Sequence, residues 1–288
     1  MNKIFNQKPI AILMATFNGE KYLKEQIDSI IFQTNIDWTL FIQDDGSSDM
    51  TVDLIKQYTD PRIVFVDLGL TRQGACLNFM SLLNVVESDY YMFCDQDDIW
   101  FEDKIQASYK RMIEEEKEHQ NSPVLVYSDA SRIDAKGNVI LETEFNRKNW
   151  SKEKTRAILN ERCTLNMLRL LTICAGCKMM FNHKTKEVAI PFCNLRYHDS
   201  IIAIAVAKNN GIFSPIIKPF MYYRIHQTNT CGVHETSIFN KLQSIKDTIH
   251  NRWRMFLLWQ IYGGGDILVF FYYQLRLYVT SFDKRRFF

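Results

Sequence analysis

Cys94-Asp95-Gln96-Asp97-Asp98 is the segment of this 288-residue chain with the most evident capacity for chemistry. Carboxylates at alternate positions directly after an apolar run can converge on one hard cation, which takes oxygen ligands and leaves room for phosphate oxygens. Such a cation would neutralise the charge that develops on a departing diphosphate. The same run also reads as a solvated acidic cap for a helix beginning near Glu102. Asp44-Asp45-Gly46-Ser47-Ser48-Asp49 carries a similar ambiguity. Asp and Ser cap helices and Gly46 suits a turn, whereas a carboxylate there can accept the imide N–H of uracil or thymine, a donor that adenine lacks at the equivalent edge. Thr16-Phe17-Asn18-Gly19 offers hydroxyl and backbone groups to a base and ribose. It is not the Gly-rich phosphate loop with a nearby basic residue that a nucleotidyltransferase would carry.

The elements around these segments explain why they would meet. Pro9 to Ala15 reads as a strand and Glu20 to Gln33 as a helix, with Tyr22, Leu23, Ile27, Ile30 and Ile31 at helical spacing. Trp38 to Gln43, Arg62 to Leu68 and Tyr90 to Cys94 read as further strands, with helices over Thr51 to Tyr58 and Ala75 to Val86 between them. Strands alternating with helices of this length predict an α/β domain on a mainly parallel sheet. Ligands of such sheets sit beyond the carboxyl ends of the strands, where the three polar clusters fall. The second half is less regular, with strands expected at Val124–Ser128, Cys174–Phe181 and Ile212–Tyr223, and helices near Lys154–Leu170 and Asp199–Lys208.

Composition narrows the class. Hydrophobic residues make up 47% and charged residues 24% of the chain, as in globular proteins, and the 13% aromatic share suits sugar or membrane contact as well as core. A sequence pI near 8.1, with no Lys/Arg stripe in the first 240 residues, argues against a nucleic-acid partner. Seven Cys scattered through apolar segments read as buried thiols in a reducing cytosol rather than a disulfide framework. Cys174 and Cys177 form a CxxC with no second pair at zinc-ligand spacing, which reads as packing. Met1 to Lys8 contains no apolar run of the kind a secretory signal needs, so a cytoplasmic protein is expected.

Several spaced motifs then carry a resemblance. Met14-Ala15-Thr16-Phe17-Asn18-Gly19-Glu20-Lys21-Tyr22-Leu23, with Gln26-Ile27-Asp28-Ser29-Ile30 and Gln33-Thr34 after it, resembles the opening of the inverting family 2 glycosyltransferases. So do Asp44-Asp45-Gly46-Ser47-Ser48-Asp49 and Phe93-Cys94-Asp95-Gln96-Asp97-Asp98-Ile99-Trp100. The last, followed by Asp103-Lys104-Ile105, is similar to a bacterial subgroup that includes rhamnosyltransferases of cell-surface polysaccharide synthesis. Gly176-Cys177-Lys178-Met179-Met180-Phe181-Asn182, His198-Asp199 and Tyr223-Arg224-Ile225-His226 continue the match, which covers residues 9 to about 232.

The resemblance implies a GT-A fold over residues 1–236, with a nucleotide-binding half at 1–100 and an acceptor half at 101–236. It implies transfer from a nucleotide diphosphate sugar to a saccharide or lipid-linked saccharide, with dTDP-rhamnose favoured and UDP-hexoses next. Inversion by direct displacement needs one carboxylate to deprotonate the acceptor hydroxyl, a role it carries to Asp199. Asp199 equally suits the N-terminal turn of a helix. His198 stands where the commoner Glu-Asp pair has its first acid, a form that resembles the rhamnosyl-type subgroup. A divalent metal, Mn2+ or Mg2+, is implied at Asp97, with Asp95 on the ribose, the metal or its water, and with His226 completing the metal or diphosphate site. Thr16, Asn18, Glu20, Asp45, Arg72 and Asp95 are implied to bind the nucleotide. Arg72 and Arg224 could reach the diphosphate, although a loop Arg is commonly only solvated. A non-catalytic carbohydrate- or nucleotide-binding module on the same fold is the reading of a different class.

Residues 237–288 lie beyond the resemblance and read as long apolar-aromatic helices, Ile238–Ile261 and Ile267–Phe282, split at Gly263-Gly264-Gly265. Twelve of the last 48 residues are aromatic and eight are Lys or Arg. The longest apolar run, Ile267 to Tyr273, falls well short of the roughly 20 residues needed to span a bilayer. The segment is expected to lie on the inner face of an anionic membrane through its aromatic and basic groups. Packing as a helical pair on the catalytic domain or on a second subunit, as a homodimer, is the competing expectation.

Overall fold

The computed structural model describes residues 3–144, 174–191 and 197–227. Those up to His226 belong to one compact unit. The helix expected at Lys154–Leu170 and the whole C-terminal extension lie outside the described residues.

The first strand of the main sheet, β2 (Ile10–Thr16), follows a short β1 (Ile4–Phe5) and is buried at Ile10, Ala11, Ile12, Leu13 and Met14. Strands so apolar on both faces need helices on both. On one side Leu23, Gln26, Ile27 and Ile30 of α1 (Leu23–Ile31) are buried, and Leu23, Ile27 and Ile30 share a core with Ile10, Ile12 and Met14. β3 (Trp38–Asp44) adds Trp38, Leu40 and Ile42 to that core in parallel register with β2. On the other side α3 (Ala75–Val85) buries Phe79, Met80, Leu82 and Leu83. Between them come α2 (Thr51–Lys56) and β4 (Ile63–Phe65), the latter shorter than the expected 62–68. The chain turns away after β4 because Asp67 accepts the Gly69 N–H, and Gly69 has a positive φ of 65°.

β5 (Val86–Glu87) pairs with β1, and β6 (Tyr90–Cys94) lies beside β2 in parallel. Four parallel strands, in the order β4, β3, β2, β6, thus end together at Phe65, Asp44, Thr16 and Cys94. Beyond β6 the sheet becomes mixed. β7 (Ile99–Trp100) and α4 (Lys104–Glu118) lead to β8 (Val124–Ile133), β9 (Val139–Leu141) and β10 (Met179–Asn182). α5 (His183–Ala189), α6 (His198–Lys208) and β11 (Ile212–Arg224) complete the unit. β10 runs antiparallel between β6 and β8, while β11 pairs parallel with β8 and antiparallel with β7. β11 carries two register shifts around Pro219, as expected where a proline cannot donate to the ladder.

Two second-half strands differ from the expected bounds. β8 runs five residues past Ser128 because Asp129 and Ser131 are buried with their hydrogen bonds satisfied, Asp129 accepting from the Glu144 N–H and Ser131 donating to the Glu142 carbonyl. The expected strand at 174–181 begins instead with a 3-10 turn over Gly176–Lys178. Among the described residues, no helix is long and apolar enough to cross a membrane.

Candidate active site

The ends of β2 and β3 form one braced floor. Thr16 Oγ1 donates to Asp44 Oδ2 at 2.8 Å, and Asp44 Oδ1 accepts the Gly46 and Ser47 N–H groups. Asn18, at a φ of 47°, accepts the Ser48 N–H at 2.9 Å, and Glu20 accepts the Met50 N–H at 2.9 Å. The side chains of Thr16, Asn18 and Glu20 therefore tie the first loop to the second. Asp45 is buried, with its carboxylate oxygens accepting the Gln73 and Gly74 N–H groups at 2.8 Å each and its carbonyl accepting that of Arg72. Each carboxylate oxygen keeps a further lone pair. Arg72 is exposed and rests its guanidinium 4.9 Å from the Phe17 ring centroid.

The loop after β6 closes on this floor. Gln96 points away from its acidic neighbours and holds Phe17 at both ends, accepting its N–H and donating to its carbonyl at 2.9 Å each. The approach uses the space a glycine leaves opposite, since a Cβ on Gly19 would overlap the Gln96 amide and displace it. Asp97 Oδ2 lies 2.7 Å from His226 Nε2, so the end of β11 meets the acidic loop. Burial, reinforced by the charges of Asp97 and Asp199, pushes the Asp95 carboxyl up to about 7. Asp98 is fully buried and pushed well above the carboxylate range by desolvation and by its acidic neighbours. Its Oδ1 accepts the Arg224 N–H, while Oδ2 has no hydrogen-bond partner among the described residues.

Lys104, at the head of α4, lies beneath the loop with no exposure. Its ammonium donates to the Cys177 carbonyl at 2.8 Å and sits 4.7 Å from the Trp100 ring centroid. Burial lowers it to about 8, while Asp98 acts in the opposite direction. Sequence reasoning missed Gln96 and Lys104 as parts of the site, and it assigned Arg224 to the diphosphate, whereas the structure buries that side chain against the Asp97 carbonyl and Glu25. For Lys104 a signal exists: it shares the buried stripe of α4 with Ser108 and Met112, at spacings of four, where an unpaired ammonium would be costly.

Asp199 occupies the first turn of α6, and desolvation raises it to about 6 against the lowering hydrogen bond from the Ser200 N–H at 2.6 Å. Beside it, His198 lies 4.1 Å from the Phe79 ring and 4.7 Å from the Phe93 ring, centroid to centroid. Burial lowers His198 to about 3, so the imidazole is neutral at physiological pH. Gly176 again leaves the necessary space, because a Cβ there would collide with His198 Nε2.

These residues suit a divalent cation by their chemistry. Asp95 and Asp97 supply hard oxygens and His226 a nitrogen, a donor set compatible with Mn2+ or Mg2+. The charge of Asp97 raises the proton affinity of Asp95 and Asp98, and a bound cation would relieve that repulsion. Among the described residues, Asp95, Asp98 and Cys177 also place ligand-type atoms within 4.8 Å of one another.

Comparison with known proteins agrees with this layout. The family model for glycosyl transferase family 2 matches residues 11–186. The chain is 28% identical over 246 residues to the dTDP-rhamnosyl transferase RfbG of Shigella flexneri, covering 83% of this chain and 80% of that one. It is 31% identical over 112 residues to the putative teichuronic acid biosynthesis glycosyltransferase TuaG of Bacillus subtilis, covering 38% and 44%. Among solved structures, S. aureus TarS 1-349 in complex with UDP-GlcNAc superposes with a TM-score of 0.58 at 14% identity, over 78% of this chain and 61% of that one. The mannosyltransferase PcManGT from Pyrobaculum calidifontis, in complex with GDP-Man and Mn2+, gives 0.53 at 14% identity, over 77% and 58%. The chain thus spans about six-tenths of those two solved chains. The fold is GT-A, and the chain belongs to glycosyl transferase family 2.

Proposed function

We propose that this protein is an inverting, metal-dependent glycosyltransferase of bacterial surface polysaccharide synthesis, which transfers rhamnose from dTDP-rhamnose to a saccharide or lipid-linked saccharide. The observation that carries the reading is the meeting of Asp97 with His226 at the strand ends, beside an Asp95 whose carboxyl the charges of Asp97 and Asp199 help to raise. Similarity to the rhamnosyl transferase over most of both chains supports the donor.

In this reading Asp199 accepts the proton of the acceptor hydroxyl as that oxygen bonds to the anomeric carbon. The bond from that carbon to the diphosphate oxygen breaks, its electron pair leaving with the nucleotide. One displacement inverts the carbon. A base raised to about 6 is well matched to this task, since it is ionised at neutral pH yet more basic than an ordinary carboxylate. His198, neutral at physiological pH, places no charge beside Asp199 in the chain. Asp95, Asp97 and His226 would hold a divalent cation, which would neutralise charge on the diphosphate. The imidazole in this set favours Mn2+ over Mg2+. Thr16, Asn18 and Glu20 brace the nucleotide floor, while Asp45 faces the base and Arg72 the diphosphate.

A UDP-hexose donor is the second reading, favoured by the UDP-GlcNAc complex of the fold neighbour. A screen of nucleotide release across dTDP- and UDP-sugars, with and without Mn2+, decides between them. Release from UDP-hexoses alone rejects rhamnosyl transfer, and full turnover in excess EDTA rejects the metal. NMR of the product with inverted anomeric configuration is expected; retention removes Asp199 from its role. The C-terminal segment would hold the enzyme on the cytoplasmic membrane face near its acceptor, so truncation after Glu235 is expected to abolish sedimentation with anionic vesicles.

A further inference from the structure

Arg224 is the last residue of β11 and is only 2% exposed. Its backbone N–H donates to Asp98 Oδ1 at 3.1 Å, and its Nε donates to the carbonyl of Asp97 at 2.9 Å. Nη2 forms an ion pair with Glu25, whose side chain is exposed on α1, and the guanidinium carbon lies 4.6 Å from the Tyr22 ring centroid. Two residues later, His226 packs on the same Tyr22 ring at 5.0 Å and meets the Asp97 carboxylate. One strand end therefore holds Asp97 by both its main chain and its side chain.

A guanidinium this buried is committed to the protein and is not presented to a diphosphate. Burying it also costs desolvation that an apolar side chain would avoid. Its planar fork explains the choice of residue, because it reaches the Asp97 carbonyl, Glu25 and the Tyr22 face from one position, which a lysine ammonium cannot do. We propose that Arg224 is a positioning residue: by fixing the backbone of Asp97 against Tyr22 and Glu25, it holds the acidic loop in its cation-binding arrangement. The assignment rests on the metal-dependent reading above and names residues that act behind the expected ligands, where substitutions typically cost about 10- to 100-fold in metal affinity.

The test is equilibrium binding of Mn2+ in the presence of dTDP, followed by the EPR signal of free Mn2+, on full-length wild type, Arg224→Lys, Glu25→Gln and Asp97→Ala. Arg224→Lys keeps the charge and loses the fork; its Mn2+ dissociation constant is expected to rise about tenfold. Glu25→Gln, at an exposed position with Arg224 retained, is expected to fold normally and to weaken Mn2+ about two- to threefold, a few-fold effect in keeping with loss of an exposed partner. Near-UV circular dichroism establishes which variants are folded, and the Glu25→Gln result stands alone if Arg224→Lys does not fold. Unchanged Mn2+ affinity in either folded variant overturns the proposal. If wild type binds Mn2+ and Asp97→Ala does not, that failure belongs to Arg224 alone. If wild type binds no Mn2+, the metal reading falls and the Arg224 assignment with it.

Discussion

Asp199 illustrates how a single position in the first turn of a helix can meet two demands. A carboxylate there interacts favourably with the helix dipole, and the Ser200 N–H stabilises its charge. Desolvation outweighs both and places it at about 6. The base form dominates above that pH, so kcat should be flat at neutral pH and fall about tenfold per unit below 6. Asp199→Asn preserves size and capping ability and removes the proposed proton acceptor; it is expected to lower kcat by about 10²–10⁴-fold with little change in donor affinity. A variant with normal kcat and weakened donor binding would return Asp199 to helix capping. The pairing Asp97 with His226 was legible in the sequence as a resemblance, because both sit at strand ends. The role of Gln96 was not, since a glutamine between aspartates carries no signal until the fold shows what lies on its other side.

At the scale of elements, the first half was legible because its strands are buried runs of apolar residues separated by helices with a clear apolar stripe. β2, β3 and β6 lie within a residue of their expected ends. The second half was harder to read because polar residues are buried there: Ser128-Asp129-Ala130-Ser131 lies within β8, and hydrogen bonds rather than apolar pattern hold it. The loop after β2 offers a test of how elements hold the site. Gly19→Ala should push the Gln96 amide aside, break both bonds to Phe17 and destabilise the fold by about 1–2 kcal/mol, while raising the donor KM. Gln96→Ala should behave alike, and the double variant should be no worse than either single one, since they remove the same contact. Additive losses in denaturant titration would show that Gly19 matters for another reason.

Over the whole molecule, the acidic cluster should make stability depend on pH and, in the proposed metal-dependent reading, on the cation as well. Asp95 rises from an ordinary 3.8 in the unfolded chain to about 7 in the fold, so the folded state holds a proton that the unfolded state has released. Its contribution is therefore fully present below about pH 4 and is lost as pH rises through about 7; Asp98, also raised, acts in the same direction. In the proposed metal-dependent reading a cation would take the place of those protons. Mn2+ with dTDP at a hundredfold excess over its dissociation constant should stabilise by about 2.7 kcal/mol, which in a chain of this size raises Tm by several degrees. Because the ligands must be deprotonated, the gain should be larger at pH 8 than at pH 5.5. EDTA should abolish it, and Asp97→Ala should remove most of it at both pH values. A Tm increment that is the same at pH 5.5 and pH 8, or that survives in Asp97→Ala, would mean that the cation binds away from this cluster and that the buried acids serve the fold alone.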